Sequence, residues 1–246
     1  MAAQKTRRAP EAVEREFITA EERGFAAGDP AVRDAIKGWE RYALRFLRSP
    51  RHMRPLAMGV TSAVRGEGRT TGSVALAIAL AKETRAAVAL VGIDRQGYGL
   101  AEAFELKEAP DLDGVMRGTW TLEAAMSATG LPGLSVLPAR SSRDRLPVPP
   151  ARFWPHLRRT LPDLLAELKR DFAYVVCDLP PLLDNAEAPD IANEMDAIVL
   201  LTRSGVTPLR KLEEGLSYLD EARLAGAIHI GAEAKLPKWL TALLME

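Results

Sequence analysis

Six short apolar runs dominate the text of this chain after residue 55: LAMGVTS (56–62), AVALVGI (87–93), LSVLP (134–138), AYVVCD (173–178), AIVLLT (197–202) and GAIHI (226–230). Most are apolar at consecutive positions and do not alternate, which suits strands covered on both faces. Between them lie segments with helical spacing, SVALAIALAKETR (73–85), PDLLAELKRDF (162–172) and PLRKLEEGLSYLDEAR (208–223). Strand–helix alternation of this kind predicts an α/β chain whose mainly parallel sheet has helices on both faces, a three-layer α/β/α sandwich. In such sheets ligands gather at the carboxyl ends of the strands, near a switch in strand order. The loops to search are therefore those after residues 62, 93, 178 and 202. The Pro-rich stretch LPVPPARFWP (146–155) reads as a connection, because the alternation resumes beyond it.

Composition narrows the function. A chain of 246 residues can bury a core without a disulfide or metal staple. Lys+Arg and Asp+Glu balance at 33 each, so no global charge draws it to nucleic acid, and none is expected as a partner. Cys177 is the only cysteine and there are three histidines, which excludes a zinc or disulfide framework. No apolar run is long enough to span a membrane and no signal-peptide core is evident, so a cytoplasmic location is expected.

Three regions follow. Residues 1–55 read as an arm carrying a basic amphipathic helix: Trp39, Tyr42, Ala43, Phe46 and Leu47 share one face, and 41–54 holds five arginines and no acid. Those arginines form either a solvated face or a patch for a partner or anionic lipid. Residues 56–232 form the main domain. Residues 233–246 form a short tail in which Trp239, Leu240, Leu243 and Leu244 share a face, for docking on the domain or on a membrane interface.

The first loop carries the chemistry. A strand runs into Ala63-Val64-Arg65-Gly66-Glu67-Gly68-Arg69-Thr70-Thr71 and a helix follows at once. A glycine-rich turn at a helix N-terminus aims N–H groups and the helix dipole at a phosphate, and a hydroxyl next in line can bind Mg²⁺. Measured against G-x-x-x-x-G-K-[ST], the first Gly is Ala63 and the Lys is Arg69. Arg keeps the charge, but its planar fork does not replace a point ammonium.

From residue 56 to 230 the chain resembles the bacterial tyrosine kinases of capsule and exopolysaccharide synthesis, within the P-loop ATPases that include MinD- and ParA-type proteins. VTSAVRGEGRTTG resembles the first Walker motif of that family, VALVGID (88–94) its Asp-x-Asp strand, and FAYVVCDLPPLL (172–183) its Walker B strand with Asp-x-Pro-Pro. RSGVT (203–207) resembles its Arg-x-Gly-x-Thr loop, and PGLSVLP (132–138) the strand before its long central helix. The resemblance implies a P-loop NTPase-like fold binding ATP or ADP with Mg²⁺. Gly66, Glu67, Gly68, Arg69, Thr70 and Thr71 would hold nucleotide, Thr70, Asp94 and Asp178 the metal, and Asp94 and Asp178 the catalysis. It also implies a membrane polysaccharide copolymerase (Wzz-like) as partner, a homo-oligomer, and a place at the inner face of the plasma membrane through that partner.

Departures from the pattern set the functional expectation. Arg69 replaces the phosphate-binding Lys, Arg65 the loop's Pro, and Gly92 the first Asp of Asp-x-Asp. An adenine-reading Asn would fall near Ile230, an apolar residue. Tyr42, Tyr98, Tyr174 and Tyr218 are scattered, with no tyrosine-rich tail. The expectation is a degenerate kinase-like protein acting as a regulatory partner in polysaccharide assembly and export. The alternatives are an active tyrosine autokinase or ATPase of the same pathway, and a MinD/ParA-like positioning ATPase.

Overall fold

A computed structural model describes Trp39 and residues 55–95, 99–106, 108–140 and 149–231. The proposed arm and basic helix within 1–55, apart from Trp39 and Pro55, and the tail at 233–246 lie outside the described residues. Seven strands form one sheet: β1 (Leu56–Ser62), β2 (Val88–Gly92), β3 (Ser127–Ala128), β4 (Leu134–Leu137), β5 (Tyr174–Asp178), β6 (Ala197–Arg203) and β7 (Leu224–Ile230). Their order is β3-β4-β2-β5-β1-β6-β7, and every pairing is parallel except β3 with β4. All six predicted strands are present, and the sheet is mainly parallel as the apolar runs imply. The two-residue β3 has no sequence signal of its own.

The pleat explains why the runs are apolar throughout. Met58, Val60, Leu90, Val176 and Val199 join one core, under helix α1 (Arg69–Thr84), while Ala57, Val91, Val175, Cys177, Ile198 and Leu200 join a second. Successive side chains point to opposite faces, so a strand sandwiched between helical layers must be apolar at every position. Residues 72–81 of α1 are all buried. A helix apolar on every side needs cover on its outer face as well. Trp39 supplies part of that cover, with its indole over Gly72 and beside Leu201.

Three short helices, α2 (Gly99–Ala103), α3 (Leu112–Met116) and α4 (Leu122–Ala125), cross from β2 to β3. The second core lies beneath α5 (Pro150–Asp171), and α6 (Ala188–Asn193) joins it there. The Pro-rich stretch is not a connection from residue 150 onward: helix α5 begins at Pro150 and contains Pro155 and Pro162. Proline is tolerated in a helix's first turn, and each interior one forfeits a backbone bond. Phe153, Leu157, Leu161, Leu164, Leu165 and Leu168 recur at helical spacing and bury against the sheet, which outweighs those losses. Helix α7 (Leu209–Leu216) then leads back to the edge strand β7.

The order places β1 between β5 and β6, so the chain passes over β1 on its way from β5 to β6. The chain leaves the adjacent strands β1 and β5 in opposite directions, toward β2 and toward β6, and the carboxyl ends of β1, β2, β5 and β6 open toward that switch point. Asp178 is in register with Val60 on one side and Gly92 on the other.

Candidate functional site at the carboxyl ends of β1, β2 and β5

The turn from β1 to α1 is built around two glycines in the left-handed region, Gly66 at φ 81° and Gly68 at φ 86°. Side chains with a Cβ rarely adopt such angles, so this turn requires glycine. The first helical bond runs from the Gly72 N–H to the Gly68 carbonyl, 2.8 Å. The amides before it stand outside the helical ladder, at the positive end of a 16-residue helix. Glu67 closes the turn from within. Its carboxylate is fully buried, accepts from the Val64 N–H at 2.7 Å, and accepts the Thr207 hydroxyl. Thr207 in turn accepts from the Arg203 N–H at 2.7 Å, and the Arg203 guanidinium donates to the Gly66 carbonyl at 3.1 Å. The RSGVT loop after β6 therefore clasps the glycine turn. Only the backbone of Glu67 is left to meet a ligand. Thr71 is exposed, and Ile230 packs over Gly68.

Asp178 closes β5 beneath this turn. Its two oxygens accept from Thr70 Oγ1 at 2.8 Å and Ser73 Oγ at 3.2 Å. Burial pushes its carboxyl up to about 6 from 3.8, against the opposing pull of the Arg69 charge and the Thr70 hydroxyl. Asp94, just past β2, meets a different neighbour. Both terminal nitrogens of Arg69 lie 3.0 Å from its Oδ2, and Arg65 stands 3.7 Å from the same oxygen. Arg69 also donates to the Leu179 carbonyl and is only 8% exposed. Its Nε is buried with no hydrogen-bond partner. Arg65 reaches the carboxylate of Asp184 beyond the Pro-Pro turn, with Nε at 2.9 Å.

Thr70, Arg69, Asp94 and Asp178 are thus brought into one cluster beneath the glycine turn, as the sequence anticipated. The ties that reasoning missed are Ser73, Arg203, Thr207 and Asp184. Only RSGVT had a signal, its family-like spacing; Ser73 and Asp184 had none. Cys177, next to Asp178, is wholly buried with its thiol pushed up to about 12, so it is no nucleophile at neutral pH.

The turn's amides fit a phosphate group. The carboxylates, as arranged, fit a cationic side chain better than Mg²⁺, a hard ion that demands near-octahedral oxygen ligands. Asp94 Oδ2 is held by the Arg69 guanidinium, and both oxygens of Asp178 accept hydroxyls. A third carboxylate has no room at Gly92, where a Cβ would stand 2.7 Å from the Ala139 backbone nitrogen. Among the described residues no group of three or more His, Cys, Asp or Glu is placed to hold a metal.

Comparison with known proteins bears on the fold. No family model matches the chain. It is 29% identical over 175 residues to the tyrosine-protein kinase YwqD of Bacillus subtilis, covering 70% of each chain. It is 26% identical over 196 residues to the tyrosine-protein kinase ptk of Acinetobacter johnsonii, covering 76% of this chain but spanning only 26% of that relative. Among solved structures, the VpsO kinase domain superposes with a TM-score of 0.72 at 22% identity, over 84% of this chain and 98% of that one. The septum site-determining protein MinD of Pyrococcus horikoshii, solved with Mg-ADP, superposes at 0.58 and 22% identity, over 76% of each. The chain is similar in sequence to bacterial tyrosine-protein kinases and has the P-loop fold of their kinase domains and of MinD-type ATPases.

Proposed function

We propose that this chain is a degenerate, kinase-like P-loop protein that regulates surface-polysaccharide assembly and export without transferring phosphoryl groups itself. One observation carries the reading: the Arg69 guanidinium is turned down onto Asp94, away from the role of a loop lysine. Phosphoryl transfer is mostly positioning and charge stabilisation by loop and metal, so groups spent on each other are lost to it. Gly92 and the scattered tyrosines support the same reading, since one removes a carboxylate and the others leave no clustered acceptor.

In this reading 56–232 is a phosphate-binding domain, and 66–71 cradles a nucleotide. Its partner is a membrane polysaccharide copolymerase at the inner face of the plasma membrane, met through a surface such as the basic stretch 41–54. Homo-oligomers belong to the same proposal. The test is incubation of the full chain with Mg²⁺ and ATP, followed by mass spectrometry for phosphotyrosine. Labelling should stay at background. Self-labelling at ~1 per second or faster would give the active autokinase the lead.

A further inference from the structure

We infer that the turn at 66–71 takes a nucleoside di- or triphosphate free of divalent cation, because Arg69 already occupies the carboxylate that a cation would need. The inference deepens the non-catalytic reading above and rests on it.

A divalent ion would have to displace the groups that already hold both carboxylates. To coordinate Asp94 it would evict two guanidinium nitrogens at 3.0 Å and strand a buried arginine charge. An arginine cannot give up its proton to relieve that cost, as a buried lysine can. To coordinate Asp178 it would break the bonds from Thr70 and Ser73, which tie the first turn of α1 to the end of β5. Thr70 is the hydroxyl that would complete a metal shell, and it is spent on the same carboxylate. The backbone of Ala139 fills the place beside Gly92 from which another carboxylate would reach in.

An anion meets no such obstacle. It needs the amides of the glycine turn and the positive end of α1, and neither is engaged in the helical ladder. A second sign is independent of the helix: the Arg69 Nε is buried and lacks an acceptor. Buried donors are nearly always satisfied, and one left over beside a phosphate-type turn points to an absent acceptor. Arg65, 40% exposed, pairs with Asp94 and Asp184 at the mouth and so shields the anion from both carboxylates.

The experiment is calorimetric titration of the full chain with ADP and with ATP, once in EDTA and once in excess Mg²⁺. Binding should appear in EDTA and gain less than about threefold from Mg²⁺, because the metal finds no free carboxylate. Absence of binding in EDTA, or a gain of about tenfold or more on adding Mg²⁺, overturns the inference. Arg69→Lys keeps the charge and the fold but frees the fork's contacts, and it should raise the Mg²⁺ gain to at least about tenfold. An unchanged Mg²⁺ response in a folded R69K protein overturns it as well. Phosphotyrosine measured in the same samples separates the two readings: Mg²⁺-dependent binding without labelling sinks only this inference, and labelling sinks the regulatory reading too.

Discussion

Asp94 and Asp178 stand one strand apart at the same end of the sheet, and the backbone joins them, with the Asp94 N–H 3.1 Å from the Asp178 carbonyl. Their side chains are both nearly buried, yet different partners meet them. Asp94 has the Arg69 guanidinium directly on it, 3.0 Å from Oδ2. Asp178 has two hydroxyls, and burial costs it more than its neighbours return, so its carboxyl sits near 6. Depth alone therefore does not decide whether a buried carboxylate is comfortable. What differs is direct contact: the Arg69 guanidinium pairs with Asp94, while Asp178 feels that charge only from beyond its two hydroxyl partners.

The largest effect should come from breaking the charged member. Asp94→Asn leaves the Arg69 guanidinium buried without its counter-ion, and the chain should lose about 3–5 kcal/mol in urea denaturation. A loss below about 1 kcal/mol would show that Arg69 escapes to solvent and that the contrast with Asp178 is shallow.

A smaller effect of opposite sign is expected at the other carboxylate. A carboxyl raised to about 6 holds its proton more tightly folded than unfolded, so above that pH its charge opposes folding. Asp178→Asn should therefore stabilise the chain at pH 8, by up to about 3 kcal/mol for 2.2 pH units (6 minus 3.8). The advantage should shrink as pH falls through 6 and vanish below about 4, where Asp178 carries its proton in both states. Denaturation curves at pH 8, 6 and 4 give the check, and a pH-independent difference would contradict it.

The smallest effect sharpens the comparison at the surface. Arg65 faces Asp184 and Asp94 but is 40% exposed, so Arg65→Ala should cost no more than about 1 kcal/mol, and less in high salt. A cost rivalling that of Asp94→Asn would mean that the rim, not the buried fork, holds the cluster.

Much of this architecture was legible in the residues, and what was not has physical reasons. The strands announced themselves because helical layers on both faces demand unbroken apolar runs. The long helix α5 hid behind Pro150, Pro155 and Pro162, since local propensity argues against what tertiary burial of Phe153 and Leu157 enforces. Arg69 could be recognised as a replacement for lysine, but its direction could not, because that depends on an aspartate 25 positions away. Gly92 read as a missing carboxylate; only packing reveals that Ala139 has closed the space. Glu67 looked like a ligand residue and is a tie, a distinction set by Thr207 across 140 positions.

The central seat of β1 also has a consequence in time. Its two neighbours, β5 and β6, are made long after it, and the turn that follows it is completed only by Thr207, 140 positions on. At a ribosomal pace of ~5–20 residues per second, that interval is about 7–28 s. Until β5 emerges the chain carries an apolar strand β1 with neither of its neighbours to pair with, and until Thr207 follows the glycine turn lacks its clasp. The phosphate site is therefore among the last features of the sheet to be completed, and a nascent chain does not have it whole before six of the seven strands have been synthesised.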